Sequence, residues 1–376
     1  MNTVETEDLM KERRYMAAWQ SIKGMGARRI RSLISRFGSA QNAWQADGEA
    51  VAEAAGLGVQ KAGHINAARN QFDWEGQEKL LRSRKVQLVT FQEEAYPELL
   101  KQTYNAPAVL FYQGILPEND KTAAVVGARK ATPYGLNAAH TLSEQLARQG
   151  VFIISGGARG IDTRAHTGAL RGGGRTIAVV ANGLDRTYPP ENRRLFEEIC
   201  DAGGAIVSEF SFGVEPLACN FPARNRIIAG MARCVIVVEA AARSGALITS
   251  DFALEEGRDV FAVPGSIFST MSQGTNGLLR NGAIILTRAA DVLDEYGWQN
   301  VKKEEGKPAC VLPDRERQVY EALQESQALP VEQLVMHTGL SAADISCILL
   351  NLILHNLAEE ILPGLYVRCP AQNVSP

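Results

Sequence analysis

The chain has 376 residues, 45% hydrophobic and 22% charged, with a formal net charge of −3, which fits two or three domains with sizeable cores and excludes a disordered or fibrous chain. No apolar run approaches the roughly 18–20 residues that cross a bilayer, and the charged start MNTVETEDLMKERRYMAAW lacks the order of a secretion signal. The six cysteines, at 200, 219, 234, 310, 347 and 369, never take C-x-x-C spacing, so we expect a cytoplasmic protein with reduced cysteines, no metal and no membrane association.

Residues 1–85 read as a helical domain. Its short helices are broken at two similar sites, Gly24-Met25-Gly26 and Gly56-Leu57-Gly58. After the first, Ile30, Leu33, Ile34 and Phe37 form an apolar stripe at helical spacing. Five basic residues and no acid fall from Lys23 to Arg36, and residues 1–90 together carry 14 Lys/Arg against 10 Asp/Glu. The pattern is that of tandem helix-hairpin-helix (SAM-like) units whose glycines let backbone amides approach a phosphate. Two ordinary helix C-caps beside a solvated basic face are the alternative.

Residues 86–296 form the second unit. It opens on a strand-like run, Val86–Phe91, and a proline-punctuated connector that is acidic, with one basic residue against five acids in 91–120. Seven apolar runs then alternate with amphipathic segments of helical length: Ala123–Val126, Val151–Ile154, Thr176–Val180, Ala205–Val207, Cys234–Val238, Val260–Val263 and Ala283–Leu286. Continuous apolar strands between helices predict a Rossmann-like α/β fold, a doubly wound parallel sheet covered on both faces. Residues 297–312 read as a polar linker. Residues 313–376 read as a winged helix: three helices, the third capped by Ser341 with Asp344 in capping-box position, and a hairpin turning at Pro363-Gly364. Residues 291–376 carry 6 basic residues against 13 acids, and the third helix has no Lys or Arg, which speaks against a major-groove reader.

In a doubly wound sheet ligands bind beyond the carboxyl ends of the strands, so the residues after each apolar run carry the chemistry. After the first come Gly127, Arg129 and Lys130, with Thr132 as helix N-cap and Pro133 behind it. This departs from both G-x-G-x-x-G and the P-loop, and no cofactor is expected. After the second comes Ser155-Gly156-Gly157-Ala158-Arg159-Gly160, whose glycines would form an anion nest around the Arg159 fork or merely permit close packing. His166, four residues after Asp162, reads as a helix-surface hydrogen bond rather than a catalytic pair. Further along stand Asn192 and Arg193, then Phe221 with Arg224, Asn225 and Arg226, a grouping that suits base stacking and phosphate binding on a single strand. Ser244 and Gly245 add one more loop with inward amides. Of the 18 basic residues in 121–290, 16 are Arg, which favours bidentate phosphate recognition.

The ordered runs VVGARKATPYG, ISGGARGIDTRAH, GLDRTYPPENRRL, FPARNRIIAG, SGALITSDFALEEGRDVFAVPG and GTNGLLRNGA resemble the DNA-processing protein A (DprA, or Smf) family, densely over residues 86–290. The resemblance implies a cytoplasmic, non-enzymatic protein of natural transformation. Such a protein binds incoming single-stranded DNA and hands it to the RecA recombinase past single-strand-binding protein, as a homodimer. It implies that Arg129 is the arginine of a G-S-R turn, that Arg159 and Gly160 belong to an S-G-x-A-x-G-I-D loop, and that Phe221, Arg224 and Asn225 belong to F-P-x-R-N-R. Two departures stand out: Ala128 replaces the turn's serine, and Ala218 stands where relatives often carry a basic residue, so that either one phosphate contact is missing or a neighbour such as Arg193 replaces it.

Two rival readings remain. A Rossmann-type nucleotide phosphoribohydrolase would use Glu239 as its acid, although the P-G-G-x-G-T-x-x-E pattern of such enzymes is absent. A duplex reader would use the winged helix and the helical hairpins, against the charge of the C-terminal segment.

Overall fold

The computed structural model describes residues 3–299, 312–325, 327–355 and 357–369. Six helices open the chain: α1 (Thr3–Ser21), α2 (Ala27–Phe37), α3 (Ala40–Gln45), α4 (Gly48–Ala54), α5 (Ala62–Asn70) and α6 (Trp74–Ser83). Both glycine breaks are turns between helices, and Gly24, Gly56 and Gly58 take positive φ (87°, 64° and 75°) that a side chain would oppose. Arg29 ties the turns together, donating to the Gly24 and Ala55 carbonyls at 2.6 and 3.1 Å. The Ile30 and Leu33 stripe is fully buried. Its core runs without a break into the central sheet through Val109, Phe111 and Ile206. Gln20 donates across the junction to the Val109 and Glu209 carbonyls, at 2.9 and 2.7 Å.

The central sheet contains β1 (Gln87–Thr90), β2 (Val109–Gly114), β3 (Thr122–Val126), β4 (Phe152–Ser155), β5 (Thr176–Val179), β6 (Ala205–Ser208), β7 (Cys234–Val237), β8 (Asp259–Ala262) and β9 (Ile284–Ile285). Their order is β1-β2-β6-β5-β4-β3-β7-β8-β9. Strands β3 to β9 are parallel, as the apolar runs predict, and β2 and β1 extend the β6 edge in antiparallel fashion. The connector expected after the first strand-like run therefore contains a strand, β2, that the prolines around it conceal. Successive residues point to opposite layers. Ala124, Val126, Val235 and Val237 face one core, and Ala123, Val125, Cys234 and Ile236 face the other. The helices are α7 (Glu98–Lys101), α8 (Pro133–Arg148), α9 (Ile161–Arg171), α10 (Arg193–Asp201), α11 (Asn220–Met231), α12 (Gly245–Glu255), α13 (Gln273–Arg280) and α14 (Ala289–Tyr296). After β3 the chain winds one way to β4, β5 and β6, then returns to place β7 on the other side of β3. The crevice of the fold lies at that switch, between the carboxyl ends of β3 and β7.

The C-terminal unit holds α15 (Asp314–Ala322), α16 (Val331–Thr338) and α17 (Ala342–Leu354), with a sheet of β10 (Leu329–Pro330), β12 (Leu365–Arg368) and β11 (Ala358–Leu362) in that order. Ser341 caps α17 as expected, its hydroxyl accepting from the Asp344 amide at 3.1 Å. The unit rests on α8 and α9. Asn137 donates to the Glu325 carbonyl at 2.8 Å, Arg164 pairs with Glu359, and Leu136 packs with Ile361 and Val367. Most of the expected linker, residues 300–311, and Cys310 within it lie outside the described residues. The remaining five cysteines are free thiols, and no single described helix is long and apolar enough to cross a membrane.

Candidate nucleic-acid interface

A cleft of about 210 Å³ lies at the switch point, lined by the β3 loop, the start of α11 and the start of α12. Each wall follows from local sequence. Thr132 caps α8, its hydroxyl accepting from Gly135 N at 3.2 Å. Glu239, just past β7, accepts from the Thr132 amide at 2.8 Å and from its hydroxyl at 2.6 Å. This buried carboxylate therefore pins the 127–132 loop to the β7 tip and sits where the positive end of α8 stabilises it. Gly127 is needed because a Cβ there would come within 2.6 Å of Ile161 and 3.0 Å of the Glu239 carbonyl. Arg129 emerges from the loop, exposed, with its guanidinium 4.4 Å from the centre of the Phe221 ring. It makes no ion pair among the described residues. On the opposite wall Ser244 caps α12, accepting from the Ala246 amide at 3.3 Å, and Asn225 donates to the Gly245 carbonyl at 3.2 Å.

Phe221, Arg224, Asn225 and Ile228 line the cleft together because positions i, i+3, i+4 and i+7 share one face of α11. Phe221 is half-buried and also meets Tyr188, ring centres 6.0 Å apart. Arg224 is only 4% exposed. Its guanidinium donates to the carbonyls of Gly156 and Val179, and burial lowers its pKa to about 10. Beside it, burial raises the Asp162 carboxyl while the Arg224 charge opposes the rise. Arg224 is thus the internal brace of the site and presents no free cation to the cleft, contrary to the expected phosphate contact.

The second glycine loop is governed by packing. A Cβ on Gly156 would sit 2.6 Å from both Arg224 Nη2 and Asp162 Oδ2, one on Gly157 would meet Phe196 at 2.8 Å, and one on Gly160 would meet the Ala128 and Arg129 carbonyls at 2.4 and 2.6 Å. The Ala158 amide already donates to Asp162 at 3.3 Å, and the Ser155 hydroxyl donates to the Val125 carbonyl at 2.6 Å. Asn192 is buried and holds the loop from behind, donating to the Gly157 carbonyl and the Thr163 hydroxyl, both at 2.9 Å. Arg159 points outward and pairs with Glu191; both side chains are about half exposed.

Two predicted residues lie elsewhere. Arg226 sits off the cleft face of α11, paired with Glu209 and donating to the Asn105 carbonyl at 2.7 Å. Arg193 pairs with Glu197 at 3.5 Å and lines a separate cavity of about 820 Å³ with Arg84, Lys85 and Arg186, so it does not compensate within the cleft for the exposed Ala218. His166 is fully buried rather than on the helix surface. The Thr176 hydroxyl spends its proton on the Ile153 carbonyl at 2.7 Å, so His166 Nδ1 donates to that hydroxyl, also at 2.7 Å, and the ring is neutral, its pKa pushed down to about 3 by burial. Asp162, Tyr188 and Glu239 complete the framework. Among the described residues no group of His, Cys, Asp or Glu could hold a metal ion.

The profile of the DNA recombination-mediator protein A family matches residues 87–297, and that of the DprA winged helix domain matches residues 303–361. The chain is 40% identical to Protein Smf of Synechocystis over 76% of its length and 73% of the relative's. It is 47% identical to the DNA processing protein DprA of Streptococcus pneumoniae over 54% of its length and 72% of the relative's. The crystal structure of the latter superposes with a TM-score of 0.64 at 37% identity, covering 75% of this chain and 96% of that one. The Helicobacter pylori DprA structure, described for its single-stranded DNA binding mode, gives a TM-score of 0.51 at 30% identity over 56% of this chain and 95% of that one. With the Rossmann-like sheet, the helical N-terminus and the winged helix all in place, this chain belongs to the DNA recombination-mediator protein A family.

Proposed function

We propose that this chain is a non-catalytic cytoplasmic protein that binds incoming single-stranded DNA during natural transformation, protects it and loads the RecA recombinase on it, as a homodimer. The observation that carries the reading is Arg129 lying over Phe221 at the switch point: a guanidinium without an ion pair among the described residues, suited to phosphate, stacked on a half-exposed ring suited to a base. A cleft of about 210 Å³ falls below the ~300–1,000 Å³ of sites that engulf a small molecule, and it suits one unit of a polymer lying across the strand ends. The H. pylori relative's single-stranded DNA binding mode supports the same substrate.

The hydrolase reading needs Glu239 free to act as an acid or base. Its two carboxylate oxygens instead hold Thr132. The duplex reading needs a cationic recognition helix, and α17 has no basic residue.

The test is equilibrium binding of the full chain to labelled oligo-dT at rising salt, with unlabelled duplex as competitor. The expected result is a log–log slope of about −0.7 per phosphate neutralised and weak competition by duplex. Equal or better competition by duplex contradicts the reading. Loading predicts faster RecA filament growth on DNA covered with single-strand-binding protein, and an unchanged growth rate removes that part of the proposal.

A further inference from the structure

The loop after β8 carries two of the barest apolar side chains in the described residues: Ile267 is 81% exposed and Phe268 91% exposed. The loop is held firmly at its base. Asn276 brackets Gly265, accepting from its amide at 3.2 Å and donating to its carbonyl at 3.0 Å. Tyr134, in the first turn of α8, donates to the Pro264 carbonyl at 2.8 Å. The Ala240 amide at the β7 tip donates to the Met271 carbonyl at 2.8 Å, and Gly274 N donates back to the Ala240 carbonyl at 2.7 Å. The tip is thus anchored to the same two loops that build the cleft, and an aromatic ring is displayed to solvent from that anchored base.

Its position is set by the sheet. The order β3-β7-β8, at about 4.8 Å per strand, puts the root of this loop roughly 10 Å from the root of the Arg129 loop, along the same carboxyl-end rim. Between and beside them stand Lys130 and Arg243, both exposed and without an ion pair among the described residues. A row of unpaired cations ending in a bare ring matches a charged backbone with bases attached.

We propose that Phe268, flanked by Ile267, is a second base-stacking platform. A bound single strand runs from the Arg129–Phe221 cleft along the rim past β7 to β8. At the ~3.4 Å per nucleotide of a stacked strand, the 10 Å corresponds to about three nucleotides. This rests on the single-strand reading of the cleft, and the experiment separates the two.

Full-length parent, Phe268→Ala, Phe268→Trp and Arg129→Ala are titrated with a long oligo-dT and with a dinucleotide. Phe268→Ala is expected to weaken the long oligonucleotide about five- to hundred-fold, the factor for one lost stacking contact, and to leave the dinucleotide, too short to reach the platform, unchanged. Phe268→Trp is expected to retain affinity and to show a fluorescence change on binding that the parent lacks. Arg129→Ala is expected to weaken both ligands. If Arg129→Ala weakens binding while Phe268→Ala binds the long strand like the parent, the platform is overturned and the cleft stands. If Arg129→Ala has no effect, the cleft itself is refuted. A Phe268→Ala variant that loses self-association and keeps its affinity would assign the ring to a protein interface and overturn the platform.

Discussion

Replacing Arg224 by alanine distinguishes a brace from a ligand. The side chain is buried, donates to the carbonyls of Gly156 and Val179, and lies against a buried Asp162. Removing it leaves two carbonyls without donors and a carboxylate without its countercharge. Stranding a buried charge in this way costs about 3–5 kcal/mol, a large part of the ~5–15 kcal/mol that keeps a domain folded. With a urea dependence of about 2–3 kcal/mol per molar, the central domain's unfolding midpoint should fall by about 1–2 M, followed by circular dichroism. Adding Asp162→Asn to Arg224→Ala should recover part of the loss, because the stranded charge is gone. The pH dependence has a definite sign. The folded pKa of Asp162 is raised, so its contribution is fully present below its unfolded pKa and is lost as pH rises through the folded one. The Arg224→Ala variant, with the largest of the influences that oppose that rise removed, should recover stability on mild acidification. An Arg224→Ala protein that unfolds at the parent midpoint and yet loses affinity for oligo-dT would refute the assignment and make Arg224 a direct ligand.

Acid should loosen the protein through two histidines. Burial lowers His140 from 6.5 to about 4 and His166 from 6.5 to about 3, so the stability they hold is present above pH ~6.5 and is lost as pH falls through their folded values. For His140 the shift corresponds to about 3 kcal/mol. His140→Gln should flatten the acid limb of a stability–pH curve, and an unaltered limb counts against it. Glu239→Ala should cost about 2 kcal/mol by leaving Thr132 unsatisfied and should weaken DNA binding by freeing the Arg129 loop. Neither it nor the parent should release adenine from AMP. Release by the parent that disappears in Glu239→Gln would instead support the hydrolase.

The parallel sheet was legible because strands covered on both faces need apolar residues at every position, and seven such runs stood between helical segments. β2 escaped because it lies outside the parallel series, paired antiparallel to both β1 and β6, and is flanked by Pro107 and Pro117, where turn signals dominate. At the site, sequence located the loops but not the direction of their side chains. Arg224 and Arg226 look equivalent in F-P-A-R-N-R, yet residues two apart on a helix cannot face the same way, and one became a brace and the other a distant ion pair. That periodicity was available from sequence. The buried approach of Arg224 to Asp162, 62 residues earlier, was not, because it depends on the first turns of α9 and α11, helices that cover opposite faces of the sheet, coming together at the tips of β4 and β5. The glycines of 156–160 likewise had two readings, and the contacts around them favour close packing.

The proposed function requires Arg129 to offer its charge to a phosphate of single-stranded DNA. Because this side chain is exposed and makes no hydrogen bond or ion pair among the described residues, only its stack on Phe221, Arg129→Ala should unfold nearly like the parent. Its affinity for oligo-dT at fixed salt should drop by about 1.5–3 kcal/mol, the worth of a charged hydrogen bond, with a shallower salt slope. Parent-like affinity and an unchanged slope in a folded Arg129→Ala protein would contradict the account.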